Sequence, residues 1–223
     1  MAEGKISYSA PESMLCGTLC LLGFRKAGGR VEQRRVSSLQ ELGDGFDLIV
    51  NCSGLGSRAL VGDAGVYPVR GQVLKVEAPW LTHFIRDGDG KTYIYPGVHS
   101  VTIGGTRQEG DWRLHVDGGD TASILERCGR LEPSLKKAKV LAEWVGLRPS
   151  RRNPRVEREK VLLQGRGVPV VHNYGHGGWG VTIAWGTALD ALGLASSFRS
   201  GRNGDLIGAS APAGGFCWEE VSE

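Results

Sequence analysis

Two glycine-rich turns, each following a short apolar run, set the limits on what this chain can fold into. The first is Gly54-Leu-Gly56-Ser-Arg-Ala59, after residues 46–52 (FDLIVNC). The second is Gly175-His-Gly177-Gly178-Trp-Gly180, after residues 168–171 (VPVV). Both fit the G-x-G-x-x-G/A spacing that marks a dinucleotide site when it opens a βαβ unit. The first cannot open one. A crossover needs a helix of ten or more residues, and Gly62, Asp63, Gly65 and Pro68 interrupt the stretch before Gly71. It reads as a strand-end turn, although Glu77 stands near the distance of a ribose-binding acid. The second precedes a helical pattern over 182–196, but no strand follows it. A glycine loop at a helix start still offers free N–H groups and a positive dipole end to an electron-rich ligand. A plain tight turn is the alternative.

Glycine is abundant throughout, 35 of 223 residues, more than twice the usual share of about 7%. Without a triplet period this means tight loops and close backbone approach rather than collagen. A chain of this length makes one large or two small domains. The net charge of +3 excludes a strongly basic nucleic-acid surface. Five cysteines without a CxxC spacing (Cys16, Cys20, Cys52, Cys128, Cys217) point to a reducing compartment. The longest apolar stretch is taken as 14–24, too short to span a bilayer, so no membrane association is expected.

Strands are predicted over 46–52, 72–77, 92–95, 100–104, 140–147 and 168–171, with a Pro-Gly hairpin at 96–99. One helix is predicted from Asp120 or Thr121, burying Ile124, Leu125, Cys128 and Leu131. A second spans 182–196, burying Ile183, Leu189 and Leu192. The order implies a mixed sheet of the α+β or α/β class with a terminal helix returning to a ligand. His172 and His176 are four apart, but Gly175 and Gly177 break any helix between them and no third ligand is near, so no metal site is expected. Arg151, Arg152, Arg155 and Arg158 read as a solvated loop. No G-x-S-x-G hydrolase elbow occurs.

The stretches 50–54 (VNCSG), 69–73 (VRGQV), 78–84 (APWLTHF), 93–97 (YIYPG), 101–105 (VTIGG), 145–149 (VGLRP) and 172–178 (HNYGHGG) together resemble the D-amino-acid oxidase and D-aspartate oxidase family. The aspartate-specific branch is the nearer. The resemblance covers residues 24–194. It implies the C-terminal portion of an FAD-dependent amino-acid oxidase, with a mixed-sheet substrate domain inserted between pieces of the FAD-binding domain. Residues 1–23 do not match, and 195–223 form a divergent, flexible tail. The implied reaction turns D-aspartate or another acidic D-amino acid into a 2-oxo acid, ammonia and hydrogen peroxide, with dioxygen as electron acceptor.

Residue roles follow from the same resemblance. Arg148 clamps the substrate α-carboxylate, Tyr93 hydrogen-bonds it, and the backbone at Gly178 accepts from the amine. Arg86 and Arg107 match arginines of the dicarboxylate branch. Gly177, Gly178, Gly180, Val181 and Thr182 wrap the flavin, with Cys52, Ser53 and Gly54 beside it. No side chain is implied as acid or base, and the oligomeric state is left open. The family's N-terminal Rossmann unit is not found, and the chain ends Val-Ser-Glu rather than in a peroxisomal tripeptide. The family's location is peroxisomal; for this chain a cytoplasmic one is expected. A broader D-amino-acid oxidase and an inactive truncated fragment are the alternatives.

Overall fold

The frame is one long strand. The β-branched and aromatic residues of 139–163 extend without a break as β7 (Lys139–Leu163), which pairs antiparallel with a different partner along each half. The computed structural model describes residues 11–88 and 90–200, with side chains from residue 19 to residue 198. In chain order the elements are α1 (Pro11–Lys26), β1 (Ile49–Asn51), α2 (Ser57–Leu60), β2 (Tyr67–Glu77), β3 (Ile85–Arg86), β4 (Tyr93–Pro96), β5 (Val101–Gly104), β6 (Gln108–Glu109), α3 (Gly118–Leu131), β7, β8 (Arg166–His176) and α4 (Gly180–Ser200). The sheet runs β1-β8-β7-β2-β5-β4-β3, with β6 on β2. Only β1 and β8 are parallel, so the sheet is mixed, as expected.

Apolar packing divides along β7. Leu74, Val76, Ile94, Val101 and Ile103 pack with Ile124 and Cys128 of α3. Leu39, Ile49, Leu163, Val168 and Val170 form a second cluster. Each fully buried aliphatic side chain contributes about 1.5–3 kcal/mol. Helix α3 starts where Asp117 accepts from the N–H groups of Gly119 and Asp120, an N-cap that satisfies two otherwise orphaned donors.

Several expectations need correction. The strand expected over 140–147 is three times longer. It takes in Arg151, Arg152, Arg155 and Arg158, which therefore stand on a strand rather than in a loop. Arg151 pairs with Asp63, and Arg155 with Glu157 and Glu159. On α3, Ile124 and Cys128 are buried, but Leu125 and Leu131 are exposed.

Helix α4 begins before and ends beyond the expected 182–196. Its Ile183, Leu189 and Leu192 are exposed, as are Val181 and Trp185. It touches β8 along one side, where Asn173 Nδ2 donates to the Thr187 carbonyl at 3.2 Å and Ala191 is buried. Residues 177–198 exceed the 14–24 stretch taken as the most apolar. By length and composition they could cross a membrane, a test that core helices also pass. The expected tail lies mostly outside the described residues. Of it, 195–200 continue α4.

Candidate functional site

Glycines pave one face of the sheet where β2, β5 and β7 adjoin. On β2, Gly71 stands opposite Gly146 of β7, and a Cβ at Gly71 would overlap the Arg148 guanidinium. A Cβ at Gly105 would come within 2.5 Å of the Tyr93 hydroxyl, and one at Gly104 within 2.8 Å. A Cβ at Gly146 would meet the Trp144 indole. Large side chains lie flat on backbone there because no side chain rises beneath them, the usual reason for glycine inside a strand.

Arg148 Nη1 donates to the Thr106 carbonyl at 3.3 Å, and its guanidinium charge bears on the neighbouring Tyr93 phenol. It forms no ion pair among the described residues. Tyr93 is stacked on Tyr95, centroids 4.8 Å apart. Burial raises the Tyr93 pKa above its ordinary 10.0, with the Arg148 charge opposing. The phenol therefore stays protonated and able to donate.

The second glycine turn closes on the same place. Parallel pairing sets Asn51 of β1 beside His172 of β8, which carries the two strand ends to Arg148. Gly177 takes a positive φ of 58° and lies against Ser150, where a Cβ would come 2.8 Å from Oγ. At Gly178 a Cβ would stand 3.4 Å from Arg148 Cδ. Gly54, also at positive φ, faces Pro149. Beneath the turn, wholly buried His172 links Asn51 Nδ2 (3.2 Å) to Glu159 (2.9 Å). Burial lowers its pKa, outweighing the hydrogen bond that Nε2 donates to Glu159.

The structure thus brings together Tyr93, Arg148, Gly178, Gly177 and Gly54. Cys52, Ser53, Val181 and Thr182 flank them and are exposed. Arg86 and Arg107 are not drawn in. Arg86 is the cross-strand neighbour of Tyr93 but is exposed, its guanidinium lying over Gly90. Arg107 is 69% exposed and 4.0 Å from Glu109 of its own turn. Sequence reasoning missed Thr106, Trp144 and Gly71; the glycine inside the VRGQV strand was the available signal of close approach.

The turn suits the ring end of a flavin. Its glycines leave backbone bare, helix α4 directs its N-terminus there, and Asn173 Oδ1 and His176 Nε2 are buried without a partner among the described residues. The pyrophosphate end is not matched in the same way. After Gly54–Gly56 comes only the four-residue helix α2.

The family model described as FAD dependent oxidoreductase matches residues 17–191. Human D-aspartate oxidase is 55% identical over 173 residues, 78% of this chain and 51% of the human protein. A D-amino-acid oxidase of Rubrobacter xylanophilus is 48% identical over 203 residues, 89% of this chain and 61% of that protein. Glycine oxidase from Geobacillus kaustophilus superposes with a TM-score of 0.59 at 26% identity, over 67% of this chain and 41% of that one. The chain spans about half the length of the human relative. With three quarters of its residues inside the family model and a mixed sheet shared with a solved relative, the chain belongs to the FAD dependent oxidoreductase family.

Proposed function

We propose that this chain carries the substrate-binding part of an FAD-dependent D-amino-acid oxidase, with D-aspartate or another acidic D-amino acid as substrate. The observation that carries the reading is Arg148. It is a part-buried guanidinium without a carboxylate partner, set beside the Tyr93 phenol and against Gly178. A guanidinium fork takes a carboxylate through parallel charge-assisted bonds, and the phenol adds a donor to the same group. The Gly178 carbonyl accepts from the amine, so Cα is held between the carboxylate clamp and the glycine turn. Arg86 and Arg107 meet the second carboxylate. The backbone of Gly177, Gly178, Gly180, Val181 and Thr182 holds the flavin, with Cys52, Ser53 and Gly54 at its edge.

When bound, FAD supplies the two-electron oxidation of the amine and passes the electrons to dioxygen, giving hydrogen peroxide. The chain's own residues orient the substrate and exclude water; none is needed as a base. The likeness to the human relative supports D-aspartate over D-alanine as substrate, with the exposed Arg86 and Arg107 able to turn inward.

One observation favours a second reading, a chain that holds no flavin by itself: the turn at Gly54–Gly56, which follows β1, opens only the four-residue helix α2, too short to hold the pyrophosphate. The test is to equilibrate the purified chain with FAD, remove free cofactor, and record the flavin spectrum and peroxide release. Bound flavin, with peroxide formed faster from D-aspartate than from D-alanine, supports the first reading. A colourless protein supports the second. Bound flavin with no peroxide from either amino acid rules out the oxidase reading.

A further inference from the structure

Strand β2 (Tyr67–Glu77) presents Gly71 to the chamber, so its neighbours Arg70 and Gln72 face the other way; both are wholly buried. Every N–H of the Arg70 guanidinium has an acceptor. Nη1 donates to Gln108 Oε1 at 2.6 Å and to Asp120 Oδ2 at 2.7 Å. Nη2 donates to Gln72 Oε1 at 2.9 Å and to the His115 carbonyl at 2.7 Å. Nε donates to the Arg113 carbonyl at 3.1 Å. Gln72 binds the same segment from beside it. Its backbone N–H donates to Thr106 Oγ1 at 2.8 Å, its carbonyl accepts from the Thr106 N–H at 3.2 Å, and its amide holds the Asp117 carbonyl at 3.0 Å.

These contacts converge on Thr106, Arg107 and the start of β6 at Gln108. Thr106 is fixed by Gln72, and its carbonyl is the acceptor for Arg148. Gln108 is fixed by Arg70 and Asp120. Arg107 stands between the two fixed residues. A buried ion pair contributes little stability over an apolar replacement of the same volume. A knot with five satisfied donors therefore needs another explanation, and geometry supplies one. We propose that Arg70, Gln72 and Asp120 form a positioning cluster. Through Thr106 and Gln108 it fixes where Arg148 and Arg107 stand relative to the carboxylates of an acidic substrate. This rests on the carboxylate reading of Arg148 above.

The test uses malonate, a dicarboxylate, and acetate, a monocarboxylate, as probes of the full chain by titration calorimetry, with thermal melting alongside. Gln108→Met frees this segment from Arg70 while leaving Asp120 to neutralise the charge. It is expected to weaken malonate binding about tenfold, with less effect on acetate, and to lower Tm by the cost of leaving one buried Arg70 donor unpaired. Gln108→Asn, which keeps an amide acceptor for Arg70 and an amide donor for Asp120, should restore part of the affinity. Combined with Arg107→Ala, the Gln108→Met effect on malonate should largely disappear, because the two act through one route. Arg70→Lys should behave like Gln108→Met if it folds, and the Gln108 variants decide if it does not. Equal losses for both probes that track a fall in Tm, or additive effects with Arg107→Ala, would overturn the proposal. A wild-type chain that binds acetate and malonate equally would overturn it too, while leaving the Arg148 clamp standing. One that binds neither would remove both.

Discussion

Arg148 has the Thr106 carbonyl as its partner and the Tyr93 phenol as a neighbour but no anion among the described residues, so its charge is available to a ligand. A lysine there would supply charge without the planar fork. Arg148→Lys is expected to lower kcat/KM by more than about a hundredfold, on the order of 3 kcal/mol, in the flavin-loaded protein; near-normal rates would remove the clamp. His172 sets a pH limit of a different kind. Burial holds its folded pKa below the ordinary 6.5, so the unfolded chain binds the proton more readily. Stability is then complete above pH 6.5 and falls as the pH drops from there through the depressed folded value. His172→Gln should flatten that acid limb. Melting curves at about pH 7.5 and about pH 5.5 check it, an unchanged slope telling against the assignment. His176, also depressed by burial, acts in the same direction and would leave a residual slope.

Strand β2 separates two jobs by its pleat, polar knot on one side and bare glycine on the other. Gly71→Ala should therefore divide function from folding. The nearest atoms to the new methyl are the far end of the flexible Arg148 side chain, which can swing aside. The expected result is a stability change within about 1 kcal/mol and a KM for D-aspartate raised at least about tenfold; a large fall in Tm with unchanged KM would contradict it. The hairpin around Pro96 and Gly97, the α3 register of Ile124 and Cys128, and the pairing of Tyr93 with Arg148 were legible in local pattern or in the resemblance. The length of β7 was not, because Pro149, Asn153 and Pro154 resemble a loop until β8 is present to pair beyond the irregularity between Ser150 and Arg155. Helix α4 misled for another reason. An apolar surface shows in sequence, but what covers it does not. Thr106 and Arg70 were invisible because their contacts are set by tertiary register, not by spacing.

Across the whole molecule, α4 leaves Val181, Trp185, Leu189 and Leu192 open to solvent, and β1 at the sheet edge exposes Val50. Soluble monomers rarely leave such surface bare, and a free edge invites strand addition. The 223-residue chain should bind an apolar dye and associate with rising concentration. Trp185→Glu with Leu189→Lys should reduce both without altering far-UV dichroism. A monodisperse monomer that binds no dye would contradict the exposure seen here. The 25 residues of β7 carry a consequence for inheritance. They pair with β2 through Ser150 and with β8 from Ser150 onward, so Arg148 and Ser150, against which Gly177 lies, stand on one uninterrupted stretch of backbone. The two halves of this sheet are then not interchangeable cassettes. Recombination between relatives that crosses over between Arg148 and Gly177 would mix one parent's clamp with the other's turn, and viable chimeras should have their junctions outside that interval.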